Sequence, residues 1–213
     1  MDAYIYIFGC LLSYLLGSIP FGFLIGKYRG VDVRQRGSGN IGATNVLRTV
    51  GKRWGALVLF LDLLKGFISA WFIPIVMAAI YNTSPPYLIG LACGSAAIAG
   101  HNYPVYLKFK GGKGIATTTG MLAGIAPAAF ICGILTWLIL FLSTRYVSVA
   151  SIGAAVGVTL SAWILKSQGN SVPIALSIIA AVIILRHRSN IKRLINGTEN
   201  RLTFKKKKSE RND

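Results

Sequence analysis

Long apolar runs, broken by short polar stretches, set the pattern of this chain. The first run covers about Tyr4–Ile25 and stops at the basic stretch that begins with Lys27. A polar loop over 27–53 separates it from a second run, Trp54 to about Ile80. The uncharged segment Asn82-Thr83-Ser84-Pro85-Pro86 reads as a turn, and Tyr87 to about Gly100 as a third span. Further on, Ile115–Leu142 and Val147–Leu165 approach or exceed the roughly 20 residues needed to cross a bilayer. None of these runs carries the water-facing stripe that a soluble helix shows at helical spacing. The pattern predicts an all-α integral membrane protein. It is expected to be a polytopic helical bundle with one domain over 1–213 and a flexible basic tail from about 200.

Charge sets the number of crossings. The formal net charge is +17, and 20 of the 23 basic residues fall in three stretches: seven in 27–53, three in 100–113 and ten in 186–213. Short loops rich in Lys and Arg resist translocation, so all three belong on the cytoplasmic side. If 115–142 were one span with two more after it, the lysine-rich tail would land outside. Splitting the run at Pro127, into about 115–126 and 128–143, restores the parity. Arg145 then lies inside, the loop Lys166 to Asn170 outside, and the tail inside. Seven transmembrane helices are predicted, some short, with the N-terminus outside and the C-terminus cytoplasmic. Within that count the 115–126 piece is allowed to be only a half-crossing, and five spans is the alternative.

The remaining composition narrows the class. The first run is expected to stay as a span, because no basic n-region precedes it and Gly17-Ser18-Ile19-Pro20 is not a small-x-small cleavage signature. Membrane topology and anionic headgroups account for the basicity better than nucleic acid does. Cys10, Cys93 and Cys132 lie in apolar stretches without ligand or pairing spacing, so neither disulfide framework nor metal site is indicated. No internal repeat is visible, which weighs against an inverted-repeat transporter.

Three polar motifs carry the candidate chemistry. The first is Gly37-Ser38-Gly39-Asn40-Ile41-Gly42-Ala43-Thr44-Asn45-Val46-Leu47-Arg48. Its glycines let backbone approach a ligand, its small side chains donate hydrogen bonds, and Arg48 adds a planar fork suited to phosphate or carboxylate. The spacing Gly37-x-Gly39-x-x-Gly42 is that of a dinucleotide fingerprint, but no buried strand precedes it and Asp62 sits inside an apolar span. The second motif runs from His101-Asn102-Tyr103-Pro104 to Phe109-Lys110-Gly111-Gly112-Lys113-Gly114. It is not a Walker A loop, since Leu107 stands at the first Gly and Gly114 where Ser or Thr would hold magnesium. It keeps paired glycines, a lysine charge and a helix start from about Ile115, all of which favour anions.

The third motif is Arg186-His187-Arg188-Ser189-Asn190-Ile191-Lys192-Arg193-Leu194, followed by Asn196-Gly197-Thr198-Glu199. On a helix His187 and Asn190 share a face at i, i+3, and the two flanking arginines are expected to lower the imidazole's pKa. Glu199 is expected to pair with a nearby base and order the region. Asp62 and Lys65, also at i, i+3 and about 12 Å into the second span, read first as a structural pair and second as a wall of the site. All three motifs fall on one predicted membrane face. Together they suit two phosphoryl groups beside a bundle able to hold a fatty chain.

At these positions the sequence resembles a known family. Gly37-Ser38-Gly39-Asn40-x-Gly42-Ala43-Thr44-Asn45-Val46-x-Arg48, Gly100-His101-x-x-Pro104 through Phe109-Lys110-Gly111-Gly112-Lys113-Gly114-x-Ala116-Thr117, and His187-Arg188-x-Asn190-Ile191-x-Arg193-Leu194-x-x-Gly197-Thr198-Glu199 resemble the three motifs of bacterial acyl-phosphate:glycerol-3-phosphate acyltransferases. The resemblance covers essentially the whole chain, including Asp62-x-x-Lys65-Gly66. It implies transfer of an acyl group from acyl phosphate to sn-glycerol 3-phosphate, giving lysophosphatidic acid and inorganic phosphate, the first step of phospholipid biosynthesis. It also implies a multi-pass protein of the bacterial inner membrane with a cytoplasmic active site. No cofactor is expected, and a functional link to the enzyme that makes acyl phosphate is.

By the same resemblance the catalytic positions are Ser38, Arg48, Lys113, His187 and Asn190. Gly37, Gly39, Asn40, Thr44, Asn45, Gly111, Gly112 and Gly114 are the expected substrate-binding positions. The His with an Asp five positions on, used by common lipid acyltransferases, is missing: Tyr106 follows His101 at that place and Lys192 follows His187. Positioning and charge stabilisation are then expected to carry the reaction, with Arg48 and Lys113 on phosphoryl oxygens and Ser38 and Asn190 orienting acceptor or oxyanion. His187 or a substrate phosphate takes the hydroxyl proton. The rival class is a transporter of a phosphorylated metabolite. It would want basic residues on both faces, whereas the predicted outward loops carry only Lys166.

Overall fold

The computed structural model describes residues 3–80, 87–165 and 169–202. The turn expected at 82–86, Lys166 and the basic tail beyond Leu202 lie outside the described residues. Among those described, the regular structure is helical.

The first apolar run is two helices, α1 (Ala3–Ser18) and α2 (Phe21–Tyr28), where the sequence predicts one. Pro20 lacks an N–H and disfavours helix in the residue before it, so the ladder breaks at Ile19-Pro20. Inside motif one, read from sequence as loop, Ala43–Thr49 forms a short helix, α3. The second run is α4 (Lys52–Phe67), a π turn at Ile68–Phe72, and α5 (Ile73–Ile80). Pro74 cannot bond back to the preceding turn, and there the Ile73 N–H reaches Ile68 O, widening the helix.

Helix α6 (Tyr87–Asn102) returns to motif two, which contains a 3-10 turn at Val105–Leu107. Helices α7 (Ile115–Ile125) and α8 (Pro127–Thr144) meet at Ala126, so the break expected at Pro127 is present. α9 (Val147–Leu165) and α10 (Ser171–Arg186) follow, and α11 (Arg188–Ile195) turns 55° away from α10. Ile7–Tyr28, Lys52–Ile80, Pro127–Thr144 and Val147–Leu165 are long and apolar enough to cross a membrane, and the bent α10–α11 pair would make a fifth. α7, with 11 residues, rises only about 16 Å and does not reach across the hydrocarbon core.

Lipid offers no hydrophobic drive to pair helices, so close contact relies on small residues. α4 and α7 meet this way: a methyl group on Gly66 would lie 2.0 Å from the Thr117 carbonyl, and one on Gly120 1.9 Å from that of Leu63. Met121, Leu122 and Ile125 of α7 pack with Val158 of α9 and Leu176 and Ile179 of α10 in the main apolar core. Large apolar side chains such as Ile139 and Ile164 point outward, as a bilayer-facing surface allows.

Candidate active site

Motif one is folded around a single side chain. Asn45 is 2% exposed; its Oδ1 accepts the Ser38 N–H at 2.9 Å, and its Nδ2 donates to the carbonyls of Val33, Arg36 and Asn40 at 2.8, 3.1 and 2.8 Å. The loop reaches these contacts through left-handed turns at Gly37 (φ +62°) and Gly39 (φ +71°), which side chains resist. Asn40 Oδ1 accepts the Gly42 N–H at 2.7 Å just before α3 begins. Thr44 and Arg48, at i and i+4 on α3, share a face. Arg48 is half-buried and donates from Nη2 to Asn200 O at 3.3 Å.

Motif two is held from above and below. His101 O accepts the Gly112 N–H at 3.0 Å, while Arg186 donates from Nε to Gly112 O at 2.9 Å and from Nη2 to the carbonyls of Gly111 and Gly112 at 2.8 and 2.7 Å. Lys113 follows directly, and Gly114 (φ +83°) caps α7.

Motif three wraps back on Lys113. His187 stands at the break between α10 and α11, past the end of the spanning helix. Its Nδ1 lies 2.8 Å from Ile183 O; a carbonyl only accepts, so Nδ1 carries the hydrogen and Nε2 keeps the lone pair. Lys113 Nζ donates to Asn190 Oδ1, and Asn190 Nδ2 donates to Glu199 Oε1 at 2.7 Å. Glu199 also accepts from Ser148 Oγ at 2.9 Å and Arg193 Nε at 2.7 Å, the pairing with a base that the sequence predicts.

The electrostatics follow from this packing. Burial pushes the Lys113 ammonium down to about 8, and Arg193, Arg186 and Arg48 add to the shift while Glu199 opposes it. Burial, then Lys113, pushes His187 down to about 4. The direction matches the sequence reading but the cause differs, because Arg188 points to solvent and Arg186 is engaged by the glycine loop. Burial alone would raise the Glu199 carboxyl, yet hydrogen bonds from Asn190, Arg193 and Ser148 hold it below the usual carboxylate range.

One cavity of about 610 Å³ joins these parts. Ser38, Asn40, Thr44, Asn45, Arg48, Lys113, Gly114, His187, Asn190 and Glu199 line its polar end. From there it continues between α7, α8, α9 and α10 past Leu122, Phe130, Trp137, Val158, Leu176 and Ile179. Gly37, Gly39, Gly111 and Gly112, expected from sequence to touch substrate, are not on its wall; they shape the backbone behind it. Both polar ends of Asn190 are occupied, so it holds Lys113 and Glu199 instead of facing a ligand unpartnered. The Asp62–Lys65 pair is present at 2.7 Å, with His101 Nδ1 3.5 Å from Asp62 Oδ1, and Asp62 also stands with His101 on the cavity wall, as the second sequence reading has it. That His–Asp contact and the roles of Arg186 and Ser148 were missed in sequence, since each joins segments far apart in the chain.

A helical membrane bundle with cations at one end of an apolar cavity defines an integral-membrane protein built to hold a phosphorylated, lipid-bearing reactant. The chain matches the glycerol-3-phosphate acyltransferase family over residues 7–197. It is 45% identical over 195 residues to the glycerol-3-phosphate acyltransferase of Aquifex aeolicus, covering 92% of this chain and 98% of that protein. With the corresponding protein of Geotalea daltonii the identity is 44% over 188 residues, covering 88% and 93%. The crystal structure of PlsY (YgiH), an integral membrane glycerol 3-phosphate acyltransferase, in its glycerol 3-phosphate form superposes with a TM-score of 0.83 at 44% identity, covering 93% of this chain and 96% of that one. Its lysophosphatidic acid form gives 0.80 at 43%, covering 93% and 95%. This chain belongs to the glycerol-3-phosphate acyltransferase family.

Proposed function

We propose that the chain transfers a fatty acyl group from acyl phosphate to sn-glycerol 3-phosphate, releasing lysophosphatidic acid and inorganic phosphate. The observation that carries this is the continuity of one cavity from the Arg48–Lys113 end into an apolar chamber between helices. A phosphorylated headgroup and a fatty chain fit such a space together. The solved relatives in glycerol 3-phosphate and lysophosphatidic acid forms support the acceptor and the product.

Acyl phosphate is a mixed anhydride whose phosphate leaves readily, so positioned charge can supply much of the catalysis. Arg48 and Lys113 grip phosphoryl oxygens, and Ser38 orients the acceptor. Asn190 fixes the Lys113 ammonium. As the acceptor oxygen bonds to the acyl carbon and the carbon–phosphate oxygen bond breaks, the hydroxyl proton goes to His187 Nε2 or to a substrate phosphate. The polar end faces the cytoplasm of a bacterial inner membrane, and the donor comes from the enzyme that makes acyl phosphate.

Purified protein is incubated with glycerol 3-phosphate and either acyl phosphate or acyl-CoA. Phosphate release and lysophosphatidic acid formation with the first donor alone are expected. Equal turnover with acyl-CoA, or none with acyl phosphate, overturns the reading. Impermeant thiol labelling at positions 38, 113 and 187 tests the sidedness, and labelling from opposite faces overturns it.

A further inference from the structure

Three ionisable side chains are buried among the helices and have no part in the mechanism above. Lys65 and Asp62 are each 2% exposed and His101 5%. Such groups are costly in a bilayer; they pair, and they commonly serve a function. Lys65 Nζ lies 2.7 Å from Asp62 Oδ1 and donates to Ile19 O at 3.1 Å, a carbonyl at the α1–α2 break. The same Asp62 oxygen lies 3.5 Å from His101 Nδ1. One edge of the imidazole thus faces Asp62 across the α4–α6 contact without a hydrogen bond to it.

Its other edge meets motif two. A methyl group on Gly112 would sit 2.0 Å from His101 Nε2, and the Gly112 N–H bonds to His101 O. Residue 112 therefore rests on His101 by both ring and carbonyl, and Arg186 clamps its own carbonyl from the far side. Nothing but one peptide unit separates this seat from Lys113.

We propose that Asp62, Lys65 and His101 are positioning residues for Lys113, setting the active-site ammonium from within the helix bundle through Gly112. The inference rests on the reading that Lys113 grips a phosphoryl group. The groups that face Lys113 are Arg48 from α3, Arg186 at the end of α10, His187 at the break, Asn190 and Arg193 from α11, and Glu199 beyond it. None belongs to the triad, so the triad acts on Lys113 through where it places the lysine, while Asp62 and His101 also stand on the wall of the same cavity. A loosened seat lets water reach the ammonium, and its titration moves up toward that of a free lysine.

Full-length protein in nanodiscs is titrated by ¹⁵N-lysine NMR, with the Lys113 resonance assigned through Lys113→Met. This readout needs no turnover, so its result is separate from the fate of the functional reading. Asp62→Asn and His101→Gln are expected to raise the Lys113 midpoint above its wild-type value and to lower kcat/KM by between about 10-fold and 10²-fold, as misplacing a group by about 1 Å does. Where either fails to fold, Gly112→Ala disturbs the seat alone and should raise the midpoint likewise. Combining Gly112→Ala with Asp62→Asn should cost no more than the larger single effect, because both act through one contact. An unmoved midpoint, or losses that multiply, overturns the proposal; a melting temperature that falls without a midpoint shift shows a merely structural triad.

Discussion

Lys113 donates a hydrogen bond from Nζ to the Asn190 side-chain oxygen, joining residues 77 apart in the chain. That contact makes one site of motifs two and three, and Asn190 passes it on to Glu199. With its ammonium buried and ringed by arginines, Lys113 titrates near 8. Below that pH it carries the charge that grips phosphate; above it the charge is lost. Activity should therefore fall through about pH 8. In the unfolded chain the same lysine holds its proton to about 10.4, so between these values the unfolded state binds more protons and stability rises with pH. The two trends run in opposite directions. Rate profiles and melting curves from pH 6 to 10, with Lys113→Met as reference, check both.

Glu199 is the hub of the opposite wall, accepting from Ser148, Asn190 and Arg193 at 2.7–2.9 Å. Its carboxyl is held low in the folded state, so it stabilises the fold above the unfolded value of about 4.3 and that contribution fades as pH drops below it. Glu199→Gln removes the charge and leaves one oxygen to serve three donors. The expected loss is about 1–3 kcal/mol, the range for hydrogen bonds to a charged group, together with reduced kcat/KM. Thermal unfolding at pH 7 and at pH 4 checks it: the gap between variant and wild type should narrow at the lower pH.

Asn45 is expected to matter for shape before chemistry. Its amide makes four hydrogen bonds with loop backbone, and no aliphatic or acidic side chain can replace them. Asn45→Asp keeps the acceptor for Ser38 N–H but loses the donors to three carbonyls; Asn45→Ala loses both. Each buried group left unpaired costs about 1–3 kcal/mol. Both variants should melt lower, with Ser38 and Arg48 no longer protected in proteolysis of residues 31–50. A wild-type melting point with altered kinetics would point instead to direct contact with substrate.

What sequence could convey here follows the range of each interaction. Asp62 and Lys65 sit one helical turn apart, so spacing alone pairs them. Pro127 announces the α7–α8 break through its missing N–H, and the charge parity demands a break there. The Arg193–Glu199 pair is likewise local. By contrast, Asp62 and His101 belong to different helices, and their meeting depends on how α4 packs beside α6. A search for His and Asp at fixed spacing cannot see it. Helix α3 was hidden because glycines crowd its N-terminal flank, leaving seven residues whose weak propensity reads as loop. Motif two's glycines suggested ligand contact, yet Gly111 and Gly112 are small because His101 lies beneath them and Arg186 needs their carbonyls.

His187 offers the sharpest test of how the acceptor hydroxyl is activated. Its Nδ1–H is committed to Ile183 O, which leaves the Nε2 lone pair as the ring's open position in a cavity wall. Burial and Lys113 hold the ring neutral above about pH 4, so it can accept a proton across the whole working range. A sole general base contributes about 10²–10⁴-fold, so His187→Ala should lower kcat by at least 10² if it takes the proton. His187→Gln keeps a hydrogen-bonding side chain but has no titrating nitrogen. Where His187 only holds substrate, Gln should restore most of the activity that Ala loses, and KM should change more than kcat. Where it is the base, Gln and Ala should fail alike in kcat, and the acid limb of the wild-type rate near pH 4 should vanish. A kcat within a few-fold of wild type for His187→Ala assigns the proton to a phosphate oxygen of the substrates.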